Sequence, residues 1–376
     1  MINISADYDV IILGGGINGC ATARKLSQEG KRVCLLERFT IGSGTSSNSS
    51  RLIHGGLRYL ETGRVGLVTE SLRDRKRLSE LYPDLVHMVP FYLPVYEDSL
   101  RPWWMIRMGL FMYDLLSRQA DYRCSSVNNE EFLNKFPLVK KAGLKRVYMY
   151  YDGKTDDLQL TRRIADDAVN SGGVVKENCR VVSIEGDDKA FTVLYEDEGR
   201  EGRAAAPVLI NATGPWIDEV NNHYGLAHNY RISKVSGIHI VIDGALVPDC
   251  MFLQTSSKRI FFMIPWEGEK TIIGTTERVE KGPCDEVKVQ EEDVNYLLDC
   301  ASHYLQNPLQ ASDICGTFMG IRPLVMKKNA QEDATSMSRE YKIDVIQKGQ
   351  TRLIHVYGGK LTTCLSMAEK VAAQVG

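Results

Sequence analysis

Gly14, Gly16 and Gly19 stand at the spacing G-x-G-x-x-G, and Glu37 follows further along the same stretch. Glycines placed so allow a tight turn at Gly14, bring backbone N–H groups of Gly16 up to a pyrophosphate at the positive end of a helix, and let helix and strand pack closely at Gly19. A carboxylate at Glu37 accepts both hydroxyls of an adenosine ribose and repels a 2′-phosphate, which argues against NADP. Two more glycine turns share this character: Ala212-Thr213-Gly214-Pro215-Trp216, and Gly358-Gly359-Lys360-Leu361-Thr362. A dinucleotide bound along three such distant segments is long. FAD, with its isoalloxazine far from its adenine, needs the C-terminal loop, whereas a single nicotinamide site does not.

The elements that must position these turns can be read in order. Tyr8 to Leu13 is an apolar, β-branched strand, Ile17 to Gln28 a helix with Gly30 as C-cap, and Arg32 to Leu36 a second strand. Ile41 to Ser50 is a run of small, hydroxyl-rich residues suited to an extended cofactor. It leads into Arg51 to Leu60, where His54, Gly55, Gly56, Arg58 and Tyr59 crowd together as if about a ligand. Residues 66 to 81 predict an amphipathic helix with Arg73, Arg75, Lys76 and Arg77 on a solvated face. Leu100 to Leu116 is aromatic and Met-rich but interrupted by Arg107 and Asp114, so it does not span a bilayer. Trp103, Trp104, Phe111 and Tyr113, flanked by Arg101 and Arg107, suit a helix lying in a membrane interface; a core helix covering a sheet is the other reading.

Further on, Val174 to Val182 reads as a strand following a helix over Leu158 to Ser171, and Pro207 to Gly214 as a buried strand ending in its glycine turn. From Arg231 to Leu324 short strands with one helix, 290 to 304, predict an antiparallel, substrate-facing layer. Thr351 to Val356, the Gly358-Gly359 turn and a helix to Val375 again present a helix N-terminus to something anionic or electron-rich.

The 376 residues suit two intimately connected domains, and 43% hydrophobic with 25% charged residues is ordinary globular composition. A net charge of −2 gives no reason to expect nucleic acid. Nine scattered cysteines without a CxxC pair read as reduced thiols of a cytosolic protein, with no disulfide framework and no metal site. The first strand begins so near Met1 that no signal peptide is expected.

GGGING, TSSNSSRLIHGGLRYL, RPWWMIRMGLFMYD, NATGPW, IPW followed by IIGTTE, GIRPL and YGGKLTT, in this order over nearly the whole chain, resemble the FAD-dependent sn-glycerol-3-phosphate dehydrogenases of the aerobic bacterial and mitochondrial type, members of the D-amino-acid oxidase-like flavoproteins. The resemblance implies an α/β fold: a Rossmann-like FAD-binding domain of the glutathione-reductase type with an inserted substrate domain on a mixed or antiparallel sheet. The expected division is 1–80, 145–228 and 340–376 for FAD, and 81–144 with 229–339 for the substrate and membrane side. FAD contacts are expected at Gly14, Gly16, Ile17, Asn18, Gly19, Glu37 and Arg38. They continue through Thr45, Ser46, Ser47, Ser50, Leu52, His54, Gly55 and Gly56, then Val182, Ala212, Thr213, Gly214 and Trp216. Gly358, Gly359, Lys360, Leu361 and Thr362 complete the set.

The implied reaction oxidises glycerol 3-phosphate to dihydroxyacetone phosphate, with hydride passing from C2 to flavin N5 and electrons onward to quinone or another acceptor. A cytoplasmic protein, peripheral on the inner membrane through 100–116, and a homodimer are further expectations. The residues support phosphate independently, because a phosphomonoester carries close to two negative charges and needs fixed cations. Arg58, Arg322 and Lys360 stand in the matching motifs, Arg339 resembles a further phosphate contact, and Tyr59 and Thr362 add hydrogen bonds. His54 and His239 are the candidate bases, His54 slightly preferred. Lys360 and the last helix N-terminus would stabilise reduced flavin. The resembled family continues into a helical C-terminal domain beyond the point matching Gly376, and Glu277 stands where Asp is common. A related phosphorylated alcohol, such as the glycerol-phosphate group of a larger substrate, is therefore an alternative; an amine or amino-acid oxidase and a non-catalytic flavin-binding scaffold are weaker ones.

Overall fold

The computed structural model describes residues 7–257, 259–328 and 340–376. Val10–Leu13, Val33–Leu36 and Val208–Asn211 are short and buried along their whole length, as strands become at the centre of a sheet covered on both faces. They lie in a six-stranded sheet ordered Lys342–Lys348, Thr351–Tyr357, Val208–Asn211, Val10–Leu13, Val33–Leu36, Val174–Lys176. Only the edge strand Lys342–Lys348 runs antiparallel. Side chains alternate across it. Val10, Ile12, Val33 and Leu35 pack against helices Ile17–Gln28, Asp157–Asn170 and Cys364–Val375, whereas Ile11, Leu13, Cys34 and Leu36 pack against a three-stranded antiparallel sheet of Cys179–Gly186, Phe191–Asp197 and Arg200–Ala206.

A second, ten-stranded and mainly antiparallel sheet stands beside the first. Its longest pairings are Tyr230–Asp243 with Ile314–Lys327 and Val86–Tyr96 with Leu144–Thr155. The α/β architecture with a second, antiparallel layer is that expected from the sequence. Two differences are local. Leu52–Ile53, and Leu144–Thr155 from position 145 on, fall in the segments expected for FAD but hydrogen-bond within the second sheet. The strand expected over Val174 to Val182 is two strands, Val174–Lys176 and Cys179–Gly186, the break occurring at Asn178, which has a left-handed backbone (φ 51°).

The helix Trp103–Ser117 buries only Ile106, Leu110 and Tyr113, one per turn along a single narrow stripe, and leaves Trp104, Met108, Phe111 and Leu115 more than half exposed. Arg75 corrects the expected solvated face of helix Val65–Leu81. It is 1% exposed and ion-pairs with buried Asp152 at 2.7 Å, and its guanidinium also donates to the Tyr151 carbonyl (2.8 Å) and Gln119 Oε1 (2.6 Å). Removing one member of a buried pair strands the other. Arg75→Ala should cost about 3–5 kcal/mol in urea unfolding, and Lys76→Ala, one residue along but on the exposed face, should barely move the midpoint.

Candidate active site

Strand Val10–Leu13 ends at the turn Gly14–Gly16, and the helix Ile17–Gln28 begins with Gly16 as a cap that offers no side chain. Its first N–H, on Ile17, donates to Ser46 Oγ (2.9 Å). Glu37 Oε2 accepts from Gly15 N–H (2.6 Å) and Oε1 from Phe39 N–H (2.8 Å), so this carboxylate braces the glycine turn as well as facing the cavity. Distant segments then close on the same place. Asn18 Nδ2 donates to the Gly358 carbonyl (2.9 Å), Thr45 Oγ1 to the Ile321 carbonyl (2.7 Å), and His54 N–H to Thr362 Oγ1 (3.1 Å).

These contacts enclose a cavity of about 830 Å³ running between the two sheets. At one end it is bounded by the glycine turn, Glu37 and Arg38. Thr45, Ser46, Ser50, Leu52, His54 and Gly56 line its length together with Ala212–Gly214 and Trp216. Arg58, Tyr59 and Gly358–Thr362 line the same cavity, and His239 and Arg322 line it from the second sheet. Lys360 Nζ lies 3.9 Å from the centre of the Tyr59 ring. The Arg322 guanidinium donates to the Thr276 carbonyl (3.2 Å) and Thr275 Oγ1 (3.0 Å) and passes over Gly237, where a Cβ would stand 2.5 Å from Nη1. Cross-strand pairing puts Arg322 opposite Val235 and Phe318 opposite His239, four positions apart on one face with the Gly237–Gly320 pair midway.

His239 is 2% exposed, its ring stacked on Phe318 at 4.6 Å and 9°. Nε2 is 2.8 Å from Ser50 Oγ; Nδ1 is buried and has no hydrogen-bond partner among the described residues. Burial, reinforced by Arg322 and Arg51, holds its pKa down to about 3. The imidazole is neutral at every physiological pH.

Not every expected contact reaches the cavity wall. Gly19 lies behind the turn, Gly55 directs its N–H to Tyr113 Oη (2.9 Å) and Asp152 Oδ1 (3.2 Å), and Ser47 bonds within its own loop. Val182 is 49% exposed at a bulge, and its neighbours Arg180 and Val181 line the cavity instead. Arg339 lies outside the described residues. Asp152, Tyr150, Phe252 and Phe262 line the cavity from strand patterns that carry no local sign of a site, and Arg259 lines it from the loop before Ile260–Trp266. Among the described residues no three His, Cys, Asp or Glu side chains cluster as a metal site would require.

The model of a family described as FAD dependent oxidoreductase, DAO, matches residues 9–374. The chain belongs to this family. Aerobic glycerol-3-phosphate dehydrogenase of Escherichia coli K12 is 37% identical over 366 residues, covering 96% of this chain and 72% of that protein. D-erythritol 1-phosphate dehydrogenase of Brucella abortus is 31% identical, covering 96% and 72%. Among solved structures, the glycerol-3-phosphate dehydrogenase of Bacillus halodurans, complexed with FAD, superposes with TM-score 0.76 at 26% identity, covering 98% of this chain. This chain spans 64% of the length of that structure.

FAD is the cofactor of the DAO family, and the cavity fits it: a glycine-capped helix N-terminus and Glu37 line it together with the Gly358–Thr362 turn, which Asn18 of the same helix ties in through the Gly358 carbonyl. When bound, FAD supplies the acceptor for a hydride. The buried neutral His239 gives this site a stability signature. Its unfolded form takes up a proton near pH 6.5 and its native form only near 3, so it lowers stability progressively as pH falls below 6.5. The stability gap between wild type and His239→Gln should therefore shift against the wild type between pH 7 and pH 5, measured by urea unfolding at each pH. A gap independent of pH would show that His239 titrates in the native protein as it does in the unfolded chain, and so is not held neutral.

Proposed function

We propose that this chain oxidises sn-glycerol 3-phosphate, or a closely related phosphorylated polyol, at the carbinol next to the phosphate-bearing carbon. The observation that carries this reading is that Arg58, Arg322, Lys360 and His239 all line the cavity that fits FAD, with Arg322 and His239 on the same sheet face. Three cations suit a phosphate dianion. An amino acid, with its single carboxylate, calls for one, so amine oxidation is disfavoured. Arg322 offers a planar fork whose orientation is set from behind by Thr275 and Thr276; Arg58 and Lys360 complete the seat, and Tyr59 and Thr362 are at hand to hold hydroxyls. Of the two candidate bases, His239 is favoured over His54. It shares a sheet face with Arg322 and its ring carries no charge, whereas His54 is tied by its backbone to Thr362. The relatives support both the glycerol and the erythritol phosphates.

Electrons leave for quinone or another acceptor, and the helix Trp103–Ser117 supplies a means of approach to a membrane. Its exposed face carries Trp103, Trp104, Met108, Phe111 and Leu115, with Arg107, Arg118 and Arg123 exposed close by. Among the described residues no helix is long and apolar enough to cross a membrane.

Anaerobic addition of sn-glycerol 3-phosphate should bleach the flavin band, and D-erythritol 1-phosphate, run in parallel, ranks the two substrates. Arg322→Lys keeps the charge and loses the fork, so KM for the phosphorylated alcohol should rise about tenfold or more; unchanged KM would remove Arg322 from the phosphate seat. Liposomes containing anionic lipid should sediment the protein, and Trp104→Ser with Phe111→Ser should release it. Failure of the wild type to sediment would refute the membrane contact.

A further inference from the structure

Arg51 has a left-handed backbone, φ 58°. A long side chain takes that conformation only where its surroundings over-determine it, and such sites gather where function needs them. Here the determinants are plain. Arg51 N–H donates to Ser49 Oγ (2.9 Å) and its carbonyl accepts from Thr155 N–H (2.9 Å). Its guanidinium lies 3.6 Å from the centre of the Trp266 ring and within 3.6 and 3.9 Å of Asp156 and Asp157. On the other side, Ser49 donates from N–H and Oγ to Asp157 Oδ2 at 3.0 and 2.7 Å, and Asp157 is 0% exposed. Between these two pinned residues stands Ser50, its Oγ 2.8 Å from His239 Nε2, lining the cavity.

We infer that Ser50 is a catalytic residue of the oxidation proposed above, its hydroxyl carrying the proton from the substrate alcohol to Nε2 of His239. The inference rests on that functional reading. His239 is almost wholly buried with Nε2 2.8 Å from Ser50 Oγ, and Ser50 is a half-buried residue of the cavity wall, so its hydroxyl is placed between the imidazole and an alcohol in the cavity. The step balances. The substrate O–H breaks and its proton goes to Ser50 Oγ, while the proton Ser50 gives up goes to Nε2. The C–H bond of the carbinol breaks with its electron pair leaving as hydride for the flavin, and C–O becomes C=O. Ser50 ends as it began, His239 ends protonated beside Arg322, and the substrate phosphate on Arg322 compensates that charge.

The test uses the FAD-loaded protein, with Ser50→Ala and Ser50→Thr, followed by anaerobic single-turnover bleaching in H₂O and D₂O, FAD titration, and ¹⁵N NMR of histidine-labelled protein with His239→Gln for assignment. Ser50→Ala should slow reduction about 100-fold or more, change the solvent isotope effect, shift the His239 Nε2 resonance and leave FAD affinity within a few-fold. Ser50→Thr, which restores a hydroxyl, should recover most of the rate. Wild-type rate and isotope effect in Ser50→Ala, or a loss of FAD affinity with normal reduction at saturating FAD, would overturn the relay and leave the substrate assignment standing. An Nε2 resonance unmoved by Ser50→Ala would overturn the hydrogen bond on which the relay depends. A wild type that neither glycerol 3-phosphate nor erythritol 1-phosphate reduces would overturn the functional reading and the relay with it.

Discussion

A Cβ on Gly19 would stand 1.9 Å from the carbonyl oxygen of Gly14, and one on Gly14 would stand 2.7 Å from the carbonyl oxygen of Ala212. No side chain fits at either place, and Gly14 has φ +101° besides. This contact sets the start of the first helix directly against the exits of two adjacent parallel strands. Everything the cofactor cavity needs is referred to it. Asn18, one residue before Gly19, reaches the Gly358 turn; Ile17 holds Ser46, and through that loop Thr45 is tied to Ile321 in the second sheet. Widening the first contact by one methyl group would displace all three.

Such a contact is legible in sequence because it is local: strand, glycines, helix and second strand fall within residues 10–36, each with its own periodicity. The second sheet was legible as a layer, since short strands announce themselves, but the partners within it were not. Arg75 shows why. A helical pattern with four neighbouring cations reads as a wet face, and only the arrival of Asp152 from a strand some seventy-seven positions later turns one of them inward. Val182 failed for a related reason: a bulge moves every side chain beyond it to the opposite face, and no residue type in Val181–Ser183 marks the slip. Arg51 is the least legible of all. Its strained backbone is imposed by Trp266, Asp157 and Thr155, none of which is near it in the chain.

The two sheets divide the work along a physical line. Parallel strands buried on both faces bring backbone N–H groups and helix ends to one edge, and these suit a large, anionic, mostly invariant cofactor. Long antiparallel strands hold side chains at fixed rungs, which suits a small substrate recognised by a few charges. Arg322 and His239 owe their separation to the rungs of one strand pair, with Gly237 between them leaving room for the guanidinium.

That geometry brings an electrostatic tension. Arg58, Arg322, Lys360, Arg180 and Arg259 all border one cavity in a chain whose net charge is −2. Four carboxylates line it too: Glu37 accepts from the amides of Gly15 and Phe39, Asp152 from Arg75, Tyr113 and Gly55, Glu219 pairs with Lys234, and Glu277 stands on the wall beside them. A cavity bordered by so many cations favours anions, and burial first, then Arg322 and Arg51, keep His239 from taking a proton. On the proposed reading, a phosphate dianion seated on Arg322 offsets the Arg322 part of that resistance, while the part due to burial stays. On this argument the phosphate does more than anchor the substrate. By offsetting the cation nearest the imidazole it raises the affinity of His239 for a proton at the moment an alcohol is in place to release one, so that an unphosphorylated polyol would suffer in turnover as well as in binding.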